Sequence, residues 1–231
     1  MSDFVVSNEP RRDRGVITVI IPTLCKYEPA SFRATMNALN CSRFVKDIII
    51  IDNSGKFRDE GWEKLEVVSG ENLYVNPAWN LGVKKSETPY YLLLNDDTVL
   101  DGTVLNECLN AIKDYDLLVI DTAKMGLAEY MSSVPRHNEQ VSFIDCKFFH
   151  EGAFIMGKTD KYIPIPEELK IFFGDYWLYS KLKCCKVIST YISHYGQTTV
   201  NAENKYGDGT LERERAIYNQ LRGANADGNS K

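Results

Sequence analysis

Between Val16 and Ile120 the chain repeats one unit: a short β-branched apolar run, a polar turn, then apolar residues at helical spacing. Val16 to Ile21 stops at Pro22-Thr23, which predicts a buried strand ending in a loop. Ala30 to Asn40 carries Phe32, Met36 and Leu39 at helical spacing, so a helix follows. Asp47 to Ile51 predicts a second buried strand, closed by the turn signal Asp52-Asn53-Ser54-Gly55. Leu65 to Val68 reads as a short third strand, and Asn76 to Ser86 as a helix with Pro77 tolerated in its first turn. Tyr90 to Leu94 is the fourth strand. Asp101 caps a helix through Ile112 whose Leu105, Leu109 and Ile112 share a face, and Leu117 to Ile120 is the fifth strand. Such alternation predicts an α/β domain with a mainly parallel central sheet flanked by helices.

Ligands of such sheets bind beyond the carboxyl ends of the strands. Pro22-Thr23, Asp52-Asn53 and Asn95-Asp96-Asp97 all end strands, so they are expected to gather at one edge. Asp96 and Asp97 stand side by side and repel unless a cation or solvent neutralises them. Hard oxygen ligands of this kind suit Mg²⁺ or Mn²⁺, ions that keep open positions for phosphate oxygens. The alternative for this run is a helix N-terminus, since Asp and Thr cap well and Asp101-Gly102 follows.

The second half is less regular. Leu127 to Gln140 reads as a polar loop; Val141 to Ile144, Ala153 to Met156 and Lys186 to Ile192 as strands. Ile171 to Lys183 reads as a helix rich in aromatics, and the final strand leads to Ser193-His194. With 231 residues the chain can build one substantial core. We expect a disordered arm over 1–14, one domain over 15–222 and a disordered tail over 223–231. Within that domain we expect a regular half over 15–122 and a less regular half over 123–222.

A formal charge of −5 argues against a general nucleic-acid binder. No apolar run approaches the roughly 20 residues that span a bilayer. The polar N-terminus lacks a signal-peptide core, so a cytoplasmic location is expected. Six cysteines without CxxC spacing read as reduced thiols, and Cys184-Cys185 lacks the neighbours a zinc site needs. The loop after the first strand has neither the GxGxxG of a dinucleotide-binding dehydrogenase nor the glycine-rich basic loop of a nucleotidyltransferase.

Taken in order, Val19 to Thr23, Ile50 to Ser54, Asn80-Leu81-Gly82, Leu93 to Asp97, Gly152-Ala153-Phe154, Phe172 to Asp175 and His194 resemble the inverting family 2 glycosyltransferases. These have the GT-A (Rossmann-like) fold and include rhamnosyltransferase-like members; the resemblance covers about Val16 to Thr199. It implies a metal-dependent enzyme of glycan biosynthesis that moves a hexosyl group from a UDP- or dTDP-linked donor to a glycan or glycoside acceptor. The cofactor it implies is Mn²⁺ or Mg²⁺.

By the same resemblance, Pro22, Thr23, Asp52 and Asn53 hold the nucleobase and ribose, with Asp52 accepting from a uracil or thymine N–H. The alternative for Asp52 is an Asx turn before Ser54-Gly55. Asn80 lies near the diphosphate, and Asn76 shares that loop or caps the helix. Asn95 and Asp97 occupy the outer positions of an Asp-x-Asp motif, which makes Asp97 the direct metal ligand and lets Asp96 reach the ribose. His194 falls where members place a further metal ligand; as a lone histidine it reads equally as structural. His137 and His150 have no such support.

Asp175 matches the general base of the family's Glu-Asp motif, although Gly174 replaces the Glu and Trp177 a usual Asp. Its other reading is a cap for the helix that follows. Aromatic surroundings are expected to raise its pKa by desolvation, which suits a base. The departures at 174 and 177 motivate a rival of another class, a non-catalytic nucleotide-sugar or glycan-binding module.

Overall fold

The structure, a computed structural model, describes residues 15–120, 142–145, 152–189, 192–194 and 209–227. The expected arm over 1–14, the loop Leu127 to Gln140, and Cys146, His137 and His150 lie outside these residues.

The first half follows the repeat. Strand β1 (Ile17–Thr23) leads to helix α1 (Pro29–Cys41), then β2 (Val45–Asp52), β3 (Leu65–Ser69), α2 (Asn76–Lys85) and β4 (Tyr90–Leu94). A short β5 (Thr98–Leu100) precedes α3 (Thr103–Ala111), a 3₁₀ turn and β6 (Leu117–Ile120). The second half adds β7 (Ser142–Asp145), β8 (Phe154–Lys158), α4 (Gly174–Lys181), β9 (Cys184–Ile188), β10 (Ile192–His194) and α5 (Thr210–Asp227). Eight strands form one sheet in the order β3-β2-β1-β4-β8-β6-β9-β7, and β10 pairs with β5 in a separate ribbon.

Strands β3, β2, β1 and β4 are parallel. β8 runs antiparallel between β4 and β6. The α/β expectation therefore holds, with the parallel part confined to the first half apart from the β6–β9 pair.

Period-2 alternation sorts the apolar runs onto two faces. Ile17, Val19 and Ile21 of β1, Ile48 and Ile50 of β2, and Leu92 and Leu94 of β4 pack under α1 and α3. Ile20, Ile49, Ile51, Tyr91 and Leu93 pack under α2, α4 and α5. Helices on both faces leave the strands dry along their length, which explains why their sequences are nearly continuous in Ile, Val and Leu. Cys184 and Cys185 obey the same alternation, one in each core, so they cannot share a metal. The five described cysteines are free. Among the described residues no helix is long and apolar enough to cross a membrane.

Three elements differ from the sequence reading. The expected helix over Ile171 to Lys183 begins only at Gly174, because Phe173 sits in the left-handed region (φ 62°) and cannot continue a right-handed turn. The expected final strand is split into β9 and β10. Residues 223–227, expected in a disordered tail, instead complete α5, whose Tyr218 is buried and whose Ile217 and Leu221 pack against the same core.

Candidate active site

Parallel pairing brings β1 and β2 into register with Thr23 opposite Asp52, and β4 ends beside β1. The polar strand ends therefore meet at one edge, as the sequence requires. Thr23 is the hub. Its hydroxyl donates to Asp96 Oδ2 at 2.6 Å and accepts from the Cys25 amide at 2.8 Å, and its carbonyl accepts from Asn53 N–H at 2.9 Å. Cys25 itself adopts a left-handed φ of 56°. Pro22 sits one residue before, on β1.

Asn53 extends the network. Its side-chain oxygen accepts from Leu73 N–H (2.9 Å) and its amide donates to Tyr74 O (3.0 Å), which pins the loop leading into α2. Asp52 is turned inward. Oδ1 accepts from Ser54 N–H (2.9 Å), Ser54 O–H (2.8 Å) and Gly55 N–H (2.9 Å), and Oδ2 from Phe57 N–H (3.0 Å). Burial alone would raise its pKa, but these donors outweigh it and hold the carboxyl below the usual range. The Asx-turn reading is thus the one the structure contains: Asp52 shapes the loop that rims the cleft.

Asn76 and Asn80, expected near a diphosphate, bind backbone and side-chain groups of 162–172. Asn76 Nδ2 donates to Leu169 O (3.0 Å) and Phe172 O (3.1 Å). Asn80 Nδ2 donates to Ile165 O (2.8 Å), while its Oδ1 accepts from Tyr162 O–H (2.7 Å) and Ile165 N–H (2.9 Å). Both amides brace the segment that precedes Asp175. Asn76 does not cap α2 either, since no side-chain cap bond is made there.

The acidic turn follows β4. The Asn95 backbone N–H donates to Ala153 O (3.0 Å), and Thr98 O–H donates to the same carbonyl (3.2 Å). Thr35 of α1 donates to Thr98 O at 3.0 Å, fixing β5 from the other face. Antiparallel pairing of β10 with β5 sets His194 opposite Thr98. His194 Nε2 then lies 2.9 Å from Asp97 Oδ1, with only 15% and 8% of the two side chains exposed. Residues far apart in sequence are joined by this small ribbon.

Asp96 and Asp97 diverge: one goes to Thr23, the other to His194. Burial pushes Asp96 up to about 6, with the Asp97 charge adding to the rise; the Thr23 hydroxyl and His194 oppose it. Asp97 and His194 make a carboxylate–imidazole pair, one oxygen and one nitrogen that could contribute to holding a divalent cation. Among the described residues no group of three or more His, Cys, Asp and Glu gathers as a metal site.

Asp175 occupies the first turn of α4, where a carboxylate is favoured by the helix dipole. Its Oδ1 accepts from Tyr176 N–H at 2.8 Å, and a Cβ built on Gly152 would stand 3.6 Å from its Oδ2. Gly152 immediately precedes Ala153, the residue that holds the Asn95–Thr98 turn, so Asp175 and the acidic turn share one support. Gly174 has a steric cause: a Cβ there would fall 2.1 Å from Asn76 Oδ1, leaving no room for the acid the family pattern has. Trp177 Nε1 donates to Pro164 O, and Tyr176 packs against Phe173, Tyr179 and Tyr218. These aromatics are packing elements.

Sequence reasoning missed Glu214, a buried acid of α5 that accepts from Ile171 and Phe172 N–H, and Tyr162, the hydroxyl partner of Asn80. The signal for Glu214 was present in Glu214, Ile217, Tyr218 and Leu221, which share one face of a helix otherwise dense in charge.

No family model matches the sequence, and no curated protein sequence matches it. Solved structures do. S. aureus TarS residues 1–349 aligns with a TM-score of 0.54 and 16% identity over 75% of this chain and 60% of that one. A longer S. aureus TarS structure gives 0.53 and 19% over 78% of this chain and 37% of its own. The complex of TarS 1–349 with UDP-GlcNAc gives 0.52 and 18% over 75% and 58%. The chain spans less than two-thirds of the length of these neighbours. What it shares with TarS is the fold, a GT-A-like mixed α/β sheet flanked by helices.

Proposed function

We propose that this chain is a metal-dependent inverting glycosyltransferase that moves a hexosyl group from a UDP- or dTDP-linked donor to a glycan or glycoside hydroxyl. The observation that carries it is the meeting of Asp97 and His194 at 2.9 Å on the edge where Thr23 holds Asp96. TarS supports the donor class, since it is solved with UDP and with UDP-GlcNAc on the same fold. The rhamnosyltransferase-like motif order keeps dTDP-linked sugars beside UDP-linked ones.

Each residue has a task in this reading. Thr23 and Asn53 form the floor of the nucleoside site, and the Asp52 turn forms its wall. Asp96, raised by burial, offers a carboxyl to the ribose. Asp97 and His194 would hold the divalent cation, which supplies electrostatic stabilisation of the departing diphosphate. Asp175 takes the proton of the attacking acceptor hydroxyl as it approaches opposite the leaving group. Positioned general-base assistance of this kind is worth about 10²–10⁴-fold.

The test is incubation with a panel of UDP- and dTDP-sugars and mixed glycan acceptors in Mn²⁺, with product configuration read by NMR. Transfer with inverted anomeric configuration is expected and must vanish with EDTA. Saturable nucleotide-sugar binding without transfer or hydrolysis would instead establish the binding module.

A further inference from the structure

Residues 169–173 lead directly to Asp175 and are held from two sides. From α2, Asn76 Nδ2 binds the carbonyls of Leu169 and Phe172, and the amides of Val75 and Asn76 both donate to Lys170 O at 3.0 Å. From α5, Glu214 receives the opposite polarity. One oxygen, Oε2, accepts from Ile171 N–H at 3.1 Å and Phe172 N–H at 2.8 Å. The Glu214 side chain is almost wholly enclosed, with the residue 3% exposed.

A carboxylate so enclosed is costly unless donors compensate it, and here two consecutive backbone amides do so. One turn on, Tyr218 stacks on Phe173 with ring centroids 5.4 Å apart, and its hydroxyl donates to Tyr176 O at 3.4 Å. The α5 face therefore touches 171, 172, 173 and 176, bracketing Asp175. Phe173 lies at φ 62°, a conformation disfavoured for a non-glycine residue that persists only where its surroundings over-determine it. With the Ile171 and Phe172 amides drawn to Glu214, α4 starts at Gly174 and not earlier.

We propose that Glu214 is a positioning residue: resting on the transferase reading above, α5 acts as a clamp that fixes the 171–173 turn and so aims Asp175 at the acceptor. The residue acts through the backbone and touches no reactant. Its requirement is an acceptor oxygen, not a charge.

The test compares E214L and E214Q in the full chain. Leucine keeps the volume and accepts nothing; glutamine retains an amide oxygen for both N–H groups. E214L is expected to lose about 10–100-fold in kcat, the scale of a misplaced catalytic group. UDP affinity in Mn²⁺ should stay within about twofold, because donor binding lies on the other half of the site. Amide exchange at Ile171 and Phe172 should rise about tenfold or more as the tether is lost. E214Q should stay close to the parent in all three. Tyr218→Leu leaves Glu214 in place and serves if E214L does not fold; it should lower kcat about tenfold with UDP affinity unchanged. Equal losses in E214L and E214Q, a parallel loss of UDP affinity, or unaltered exchange in E214L would each overturn the clamp. A parent chain that transfers no sugar counts against the transferase reading alone, and the exchange comparison then decides the tether.

Discussion

The two parts of the candidate site are built by different means. At the strand edge, Thr23, Asp52, Asn53 and Asp96 arrive by topology: parallel strands end together, and whatever follows each strand stands at the same edge. Apart from the Asn53 side chain, which binds Leu73 and Tyr74, their bonds run between neighbouring strand ends or, as in the Asp52 turn, within a few residues. At the start of α4, Asp175 is placed by side chains reaching across the fold, namely Asn76, Asn80 and Glu214 binding backbone groups of 165–172. A sheet edge tolerates sequence change because strand pairing sets it. A turn hung from three side chains, two of them buried, does not.

The sharpest break in that comparison is Asp97→Ala. If Asp97 and His194 hold the cation, Mn²⁺-dependent UDP binding should disappear in calorimetry, a loss of at least about 100-fold for removal of a metal ligand. Overall stability should hardly fall. Unchanged affinity would remove the metal assignment and leave the pair as a structural link between β5 and β10.

Asp175→Asn separates the halves in the other direction. Transfer should drop about 10²–10⁴-fold while UDP affinity stays put, since the variant keeps the Oδ1 acceptor for Tyr176 N–H and loses only basicity. A drop in donor affinity of similar size would show that the base and the nucleotide site are not separable.

That division also explains what the sequence disclosed. Tyr90–Leu94 and Leu117–Ile120 were legible to the residue, because a strand buried on both faces must be an unbroken apolar run. The pairing of Asp97 with His194 was expected only through the motif order of a family; nothing local announces the β5–β10 ribbon that creates it. Asp52 and Asn80 show the limit. An Asp before Ser-Gly and an Asn within a helix look alike whether they face a ligand or a neighbouring backbone, since both roles need the same polar atoms. For Asn80 the outcome is set by residues remote in sequence, Tyr162 and Ile165, and for Asp52 by the way Ser54, Gly55 and Phe57 fold back on it. Glu214 was hidden between Arg213 and Arg215 for the same reason.

Gly174→Ala tests the cross-fold support by packing alone. The added Cβ meets Asn76 Oδ1 at 2.1 Å, in a side chain already committed to two carbonyls, so it cannot simply swing aside. Overpacking at such a site costs about 1–3 kcal/mol, read as a fall in the denaturation midpoint. In a chain already carrying Asn76→Ala the same change should cost much less, and the double-mutant cycle measures the coupling. Equal costs in both backgrounds would mean that the turn yields without involving Asn76.

Asp52→Asn is the smallest effect and the one that probes the strand-edge half. An asparagine still accepts three bonds through Oδ1, but its Nδ2 faces Phe57 N–H, donor against donor, in place of the 3.0 Å bond to Oδ2. Losing one charge-assisted acceptor costs about 1–2 kcal/mol at neutral pH. The sign with pH follows from the depressed carboxyl of the native state. Its contribution is fully present above the ordinary carboxylate range near ~4, and fades as pH falls through the lower native value. The gap between the parent chain and Asp52→Asn should therefore be constant from neutrality down to that range and close below it, in denaturation series taken at each pH. A gap that widens on acidification would mean that Asp52 titrates with a raised carboxyl. The nucleotide-side loop would then be held by something other than the four donors that now surround it.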